Sequence, residues 1–163
     1  MPLQTLCRSF SYAITLFAVI SAGFAQAEEP KTAAVLKANE GFYSALNKMF
    51  AGDVGPMSEV WSHADDVMYM GPTGLYERGW AAVLKDWQGQ AAMKLGGRVT
   101  PGEVHALVGQ DLAVVSDFEL GENTNAKGEV QRLKLRATNV YRKEKGSWKM
   151  VDHHTDSLPY LAK

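Results

Sequence analysis

The sequence predicts an α+β domain in which helices pack on one face of a strongly curved, mainly antiparallel sheet that encloses a pocket. In the first half of the chain, apolar residues recur at three- and four-residue spacing, which is the helical period. The second half contains four segments of alternating or β-branched residues. Helices followed by a run of strands are typical of this class, and long strands usually curl into a concave wall.

Three helices are predicted in the first half. Apolar residues between Val35 and Phe50 form one stripe, Thr32 is the predicted N-cap, and the glycines of "AGDVG" stop the helix. A short second helix starts at Pro56, and the short strand "VMYM" follows it. A third helix starts at about Gly79. Its apolar face consists of Trp80, Val83, Leu84, Trp87 and Ala91.

The four strand segments are "RVTPGEVHALVG", "LAVVSDFELGEN", "EVQRLKLRATNVYRK" and "SWKMVDHH". The connections "GQD", "NTNAKG" and "KEKG" carry the Gly, Asn and Asp residues that hairpin turns require. The segments are therefore expected to form an antiparallel meander.

The first 27 residues have the pattern of a secretory signal peptide. Arg8 precedes the apolar run "YAITLFAVISAGF", and Ala25-Gln26-Ala27 supplies small residues for cleavage. Cleavage after Ala27 leaves residues 28–163 as one domain without cysteine and without a stable membrane anchor. We therefore expect a periplasmic or secreted protein that is stabilised by its core rather than by disulfides.

Composition and motifs argue against several classes of function. A formal net charge of −1 is not that of a nucleic-acid-binding protein. The mature chain has no cysteine nucleophile, no G-x-S-x-G elbow and no phosphate-binding or dinucleotide-binding glycine loop. No cofactor is expected.

The segment "LRATNVYRKEKGSWKMVDHH", together with "VMYMGPTGLYERG", resembles the nuclear transport factor 2-like superfamily. The resemblance is strongest to the SnoaL-like branch and to the association domain of calcium/calmodulin-dependent protein kinase. It covers the mature chain from the first helix to about Ser157, with Asp152 and Asp156 departing from the family pattern. It implies a cone-shaped fold with a pocket and, commonly, a homodimer formed through the sheet. It implies no single activity, because such folds host many functions.

Alternation along the last strand separates its two histidines. Asp152 and His154 share one face, and His153 lies on the other, because side chains two apart on a strand point the same way. The two histidines cannot then hold one metal ion together, and a site built on His154 with Asp152 or Asp156 has too few nitrogen or sulfur ligands for zinc. No metal is expected. His153 is predicted to face solvent or a partner subunit, and the resemblance implies that His154 faces the cavity.

The resemblance also implies which residues of the other strands face the pocket. It places Arg136 and Thr138 on the concave wall, where the guanidinium would bind a carboxylate. It turns Asp117 and Glu119 toward the same cavity. Two interpretations stay open: either a carboxylate acts with His154 in acid–base chemistry, or Arg136 simply pairs with Glu119.

Aromatic residues are candidates for the apolar part of the pocket. Trp80 and Trp87 are predicted ligand contacts, although their helical spacing is also typical of core packing. Tyr69 is a candidate donor that would orient a ligand or stabilise an oxyanion, and it can equally face the helix layer.

Three functions remain open from the sequence. The first is binding of a small, partly apolar, anionic ligand held by Arg136. The second is an enzyme of the ketosteroid-isomerase, dehydratase or hydrolase type, in which Asp117 or Glu119 moves a proton beside His154. The third is a dimeric assembly module that uses its sheet surface and does no catalysis.

Overall fold

The computed structural model describes residues 25–125 and 127–156, and within them the chain folds into helices packed on one curved sheet. The signal-peptide prediction for residues 1–24 lies outside this part. None of the described helices is long and apolar enough to cross a membrane. In chain order the elements are α1 (Ala25–Phe50), α2 (Gly55–Val60), β1 (Met68–Met70), β2 (Glu77–Arg78), α3 (Trp80–Met93), β3 (Arg98–Val108), β4 (Leu112–Thr124), β5 (Val130–Glu144) and β6 (Ser147–Asp156).

The strands form a six-stranded sheet in the order β2-β1-β6-β5-β4-β3. All neighbours are antiparallel except β1 and β6, which run parallel. The predicted α+β architecture is confirmed. The two-residue strand β2 was not predicted, because so short a segment carries no readable alternation.

Helix α1 lies across the concave face and supplies much of the core. Val35, Phe42 and Met49 are fully buried along one side of it. Its start was predicted wrongly: the helix begins at Ala25, so Thr32 lies inside it and is not an N-cap. The segment before Val35 is rich in Ala, Glu and Lys, which have high helix propensity, so the helix extends beyond its apolar stripe.

Close backbone approach between β3 and β4 bends the sheet at Gly121. A Cβ atom there would lie 2.0 Å from the carbonyl oxygen of Arg98, so only glycine fits. Strand β3 also shifts register between Gly102 and His105. Such bulges increase local twist, and together these features curl the sheet around its inner face.

A second bulge interrupts the pairing of β5 with β6. Tyr141 lies opposite Met150 and Val140 lies opposite Asp152, so Val151 is an extra residue on β6. One extra residue exchanges the two faces for the rest of a strand. Met150 is buried before the bulge, and His153 and Thr155 are buried after it. This shift decides which histidine reaches the interior.

Candidate functional site

A cavity of about 370 Å³ lies between the helices and the concave face of the sheet. Its wall is mostly apolar, with Glu119 and His153 among its few titratable groups, and within residues 25–125 and 127–156 no Lys or Arg lines it. A larger groove of about 680 Å³ beside Lys31 is open to the surface and is lined by no buried titratable side chain. The cavity is lined by Leu46, Phe50, Tyr69, Pro72, Thr73, Leu75, Asp86, Trp87, Gln90, Met93, Leu95, Glu119, Asn123, Leu133, Leu135, His153 and Thr155.

Glu119 and His153 form a buried acid–base pair in this cavity. Only 5% of Glu119 and 2% of His153 is exposed. The Oε1 atom of Glu119 lies 3.6 Å from Nε2 of His153, just beyond hydrogen-bond length. Within the described residues, this buried oxygen has no hydrogen-bond partner. A buried acceptor without a partner is costly, and a ligand group in the cavity would satisfy it.

Burial keeps both members of the pair uncharged near neutral pH. It raises the pKa of Glu119 to about 8, and the nearby charge of Asp117 acts in the same direction. Burial lowers the pKa of His153 to about 3, with a smaller contribution from His154. Glu119 is therefore a carboxylic acid at pH 7, and His153 is a neutral imidazole.

A chain of buried amides connects His153 to Asp117. Nδ1 of His153 lies 2.6 Å from Oδ1 of Asn139, and Nδ2 of Asn139 donates to Oδ1 of Asn39 at 2.8 Å. Nδ2 of Asn39 donates to Asp117 at 3.1 Å. The Tyr141 hydroxyl also donates to Oδ1 of Asn39, at 2.8 Å. The polar groups behind the cavity are thus joined in one network.

Asp117 ends this network and does not line the cavity. It is 6% exposed and accepts a 2.6 Å hydrogen bond from the Tyr43 hydroxyl. Burial raises the pKa of Asp117, while the hydrogen bonds from Tyr43 and Asn39 oppose the shift. Asp117 is therefore placed to support the cavity pair from behind rather than to touch a ligand.

Tyr69 lines the same cavity, and its hydroxyl lies beside Gln90, which also lines the cavity. Nε2 of Gln90 donates to the Tyr69 hydroxyl oxygen at 3.0 Å and to Asp86 at 2.6 Å. The Tyr69 oxygen already accepts a hydrogen bond, so its proton is free to be donated to a bound molecule. Burial raises the pKa of Tyr69 well above its usual value, so the group is a donor at all ordinary pH values.

The predicted orientation of β5 was wrong. Arg136 is largely exposed, with 61% of its side chain accessible, and it pairs with Asp156 rather than with a ligand or with Glu119. Thr138 shares this outer face. In the antiparallel register, Leu135 lies opposite Glu119 and Ala137 opposite Asp117. Opposite residues share a face, so Arg136 and Thr138 must point away from the cavity.

The orientations predicted for the two histidines were reversed. His154 is half-buried on the outer face of β6, and His153 is the residue in the cavity. Alternation from Met150 would place His154 inside, but the extra residue Val151 shifts the strand by one position.

Of the predicted tryptophans, only Trp87 lines the cavity, and it packs 4.3 Å from the Tyr69 ring between centroids. Trp80 instead stacks on His63, with ring centroids 4.5 Å apart. Asp117 and Glu119 are both buried on the inner side of β4, but of these two only Glu119 lines the cavity, so the predicted cavity position of Asp117 was wrong. Tyr69 is buried and lines the cavity.

Three residues were missed because they read as ordinary parts of regular elements. Asn39 lies on the apolar stripe of α1, one turn after Val35, and a polar residue in that position must find a buried partner. Asn139 and Tyr141 alternate with Arg136 and Thr138 along β5, so the prediction that turned Arg136 and Thr138 inward turned Asn139 and Tyr141 outward. The interruption of the stripe by Asn39 was the one available signal.

No group of three or more His, Cys, Asp or Glu side chains suited to hold a metal ion occurs in residues 25–125 and 127–156. The chemistry available from the described side chains is proton donation and acceptance in a largely apolar cavity.

Comparisons with known proteins agree with this architecture. A family model described as the SnoaL-like domain matches residues 35–160. No curated protein matched the chain. A proposed dehydratase of the nuclear transport factor 2-like family from Streptomyces avermitilis is 25% identical, with a TM-score of 0.72 over 82% of this chain and 99% of that one.

Two further solved structures share the fold. A proposed calcium/calmodulin-dependent protein kinase type II association domain from Thiobacillus denitrificans is 28% identical, with a TM-score of 0.61 over 74% of this chain and 92% of that one. A nuclear transport factor 2-like superfamily protein from Salmonella enterica is 14% identical, with a TM-score of 0.70 over 83% of this chain and 98% of that one.

Proposed function

This chain belongs to the SnoaL-like domain family, and we propose that it is a cofactor-independent enzyme of the dehydratase type. The observation that carries the proposal is the pairing of Glu119 with His153 across 3.6 Å in a buried, mostly apolar cavity. The raised pKa of Glu119 lies close to neutral pH, as general acid–base catalysis favours, and the neutral imidazole beside it offers a nitrogen lone pair that can accept a proton. The likeness to a proposed dehydratase supports the reaction class.

The cavity favours a neutral substrate that is largely apolar and carries an oxygen function. Among the described residues, its lining has no Lys or Arg but includes two carboxyl groups, those of Glu119 and Asp86. An anion would meet no opposite charge there and would have to be desolvated, which is costly. The anionic ligand expected from the sequence depended on Arg136, which lies on the other face. A β-hydroxy ketone is the simplest compound with the required features.

Dehydration of such a compound uses each group once. Nε2 of His153 accepts the proton from the carbon next to the carbonyl, while Tyr69 donates a hydrogen bond to the carbonyl oxygen. The carboxylic acid of Glu119 protonates the departing hydroxyl, which leaves as water, and the carbon–carbon double bond forms. The imidazolium and carboxylate that remain are adjacent, so the proton returns from His153 to Glu119 and restores the starting state.

The test is an absorbance assay with the aldol adduct of benzaldehyde and acetone, a neutral β-hydroxy ketone whose dehydration product is a conjugated enone. We expect Glu119→Gln to lower kcat by about 100-fold or more, because general acid–base groups contribute that much. Arg136→Ala, on the outer face, is the matched control and is expected to keep full activity. Equal rates for Glu119→Gln and the native chain would contradict the proposal.

Binding without turnover is the second candidate function, and the mostly apolar cavity wall supports it. It predicts that a neutral aromatic compound such as naphthol quenches tryptophan fluorescence while the β-hydroxy ketone is not converted. Glu119→Gln would then leave that binding nearly unchanged, because the amide keeps the size and polarity of the side chain.

We also propose that the chain forms a homodimer through the outer face of the sheet. Leu107 and Leu112 are 64% and 55% exposed on that face, and Phe118 is only half-buried between them and Arg136. Exposed apolar patches of this kind mark interaction sites. Native mass spectrometry of Leu107→Asp tests the proposal: a monomer is expected, whereas an unchanged dimer would place the interface elsewhere.

Export remains a proposal that is based on the sequence alone. Mass spectrometry of the chain recovered from a bacterial periplasm tests it. Cleavage after Ala27 is expected, and an intact N-terminus on a cytoplasmic chain would contradict it.

A further inference from the structure

The mechanism requires a His153 imidazole with its proton on Nδ1 and a bare Nε2. The chain of buried side-chain amides behind the cavity favours this tautomer. We propose that Asn39 and Asn139 are positioning residues. Their side-chain amides are hydrogen-bonded in series between Asp117 and His153, and their orientation decides which nitrogen of His153 carries the proton. The inference deepens the proposed function and depends on it for its catalytic meaning. The tautomer itself is measurable without a substrate.

The direction of the chain follows from its first member. Both carboxyl oxygens of Asp117 accept hydrogen bonds, Oδ1 from the Tyr43 hydroxyl at 2.6 Å and Oδ2 from the NH₂ of Asn39 at 3.1 Å, so the Asn39 amide turns its NH₂ toward Asp117. The Asn39 oxygen is then the acceptor for its two other neighbours, the Tyr141 hydroxyl and the NH₂ of Asn139, each at 2.8 Å. The orientation of Asn39 is thus fixed on both sides.

The same logic continues to the imidazole. Asn139 uses its NH₂ on Asn39, so its oxygen is the atom that faces Nδ1 of His153, at 2.6 Å. An amide oxygen cannot donate, so Nδ1 must carry the proton. The other nitrogen, Nε2, keeps its lone pair and faces Glu119 at 3.6 Å. All of these residues are at least 94% buried, so water does not offer an alternative partner.

The opposite tautomer would place two acceptors face to face. A bare Nδ1 against the Asn139 oxygen leaves both atoms unsatisfied in the interior, unless both amides turn over and present oxygen to Asp117. Either arrangement costs one or more buried hydrogen bonds, at about 1–3 kcal/mol each. The chain therefore holds one tautomer rather than a mixture.

The experiment is ¹⁵N NMR of the full chain labelled at its four histidines, with His153→Gln used to assign the signals. In a neutral imidazole the protonated and bare nitrogens resonate far apart. We expect Nδ1 to be protonated and Nε2 bare in the native chain. A native signal showing Nε2–H would overturn the proposal, and this measurement does not depend on any variant folding.

Asn139→Leu removes the acceptor at nearly constant size, and exchange between both tautomers is expected. Asn47→Leu is the control. The Asn47 side chain also makes two part-buried hydrogen bonds, to the backbone of Val99, but it does not belong to the amide chain that reaches His153. A folded Asn139→Leu with the native tautomer would contradict the proposal.

The dehydration assay separates this inference from the proposed function. Asn139→Leu is expected to lower kcat by about 10-fold or more with little change in KM. The native tautomer without any turnover would refute the enzyme and leave the positioning chain intact. Turnover by a chain with Nε2–H would refute the positioning role and the role of His153 as the base, while the dehydratase activity itself would stand.

Discussion

On the concave face of the sheet, Glu119 and His153 are almost fully buried and lie 3.6 Å apart, in contact with a network of amides and tyrosines. On the opposite face, Arg136 and Asp156 pair in solvent, with 61% and 32% of their side chains exposed. Both faces bring an acidic side chain and a basic side chain together. Only the inner face removes them from water, and that removal raises the pKa of Glu119 to about 8 and keeps His153 uncharged.

The contrast between the two faces also predicts that a substitution on the inner face lowers the stability of the fold much more than one on the outer face. Asn39→Leu removes three buried hydrogen bonds, those of Asn39 to Oδ2 of Asp117, to Nδ2 of Asn139 and to the Tyr141 hydroxyl. We expect the free energy of unfolding to fall by about 3–5 kcal/mol, since each unsatisfied buried group costs about 1–3 kcal/mol. Asp156→Ala on the outer face should cost less than about 1 kcal/mol. Urea unfolding measures both, and equal costs would contradict the assignment of the two faces.

The pH dependence of stability sharpens the comparison further. The folded chain holds the Glu119 proton up to about pH 8, whereas the unfolded carboxyl releases it near 4.5. The folded state therefore binds more protons between these values, so this contribution is complete below pH 4.5 and is lost as pH rises toward 8. Each unit of pKa difference is worth about 1.4 kcal/mol.

Glu119→Gln should remove this alkaline loss, so the difference in unfolding free energy between variant and native chain should change with pH between about 4.5 and 8. His153 acts in the opposite sense: its folded pKa of about 3 lies below the ordinary 6.5, so its contribution is lost as pH falls through that window. A pH-independent difference for Glu119→Gln would show that its carboxyl titrates normally.

A reaction that needs the ionised form of Glu119 gives a kinetic prediction. Elimination from a nitrobenzisoxazole requires only a carboxylate base in an apolar site and releases a coloured phenolate. We expect its rate to rise with pH to a plateau with a midpoint near 8 and to drop at least about 10-fold in Glu119→Gln. Asp156→Asn should leave the rate unchanged, and equal losses from the two variants would contradict a special inner carboxyl.

The smallest effect is expected from Arg136. Arg136→Ala should leave the quenching of tryptophan fluorescence by naphthol unchanged, because the side chain lies on the far side of the sheet. Naphthoate should bind weakly to both proteins. If the native chain binds naphthoate tightly and Arg136→Ala does not, the arginine reaches the ligand and the two faces have been confused.

The sequence analysis predicted the fold and the inner face of β4 correctly. It failed where the register of strand pairing decides which side chains point inward. In β4, alternation puts Ala113, Val115, Asp117 and Glu119 on one face, and the resemblance to the family correctly turned that face inward. In β5, the resemblance to a family placed Arg136 inward. The opposite face of the same strand carries the apolar residues Leu133 and Leu135, and this pattern indicated that Arg136 points outward. The structure follows that local pattern.

Strand β6 is a different kind of failure. Its alternation predicts Met150 inside, and Met150 is inside. The bulge at Val151 then exchanges the faces, and a bulge depends on pairing with a distant strand. Neither His153 nor its neighbours carries a local signal of that shift. The amide chain through Asn39 was equally inaccessible, because Asn39 and Asn139 are a hundred positions apart.

The pKa of Glu119 tests the central claim most directly. Carboxyl ¹³C NMR, with the signal assigned through Glu119→Gln, would follow its titration in the full chain without any substrate. The account predicts a midpoint near 8, far above the titration of the exposed carboxyls. A midpoint near the ordinary value of 4.5 would show that the inner carboxyl is solvated and charged at neutral pH, and the proton-transfer pair would not exist.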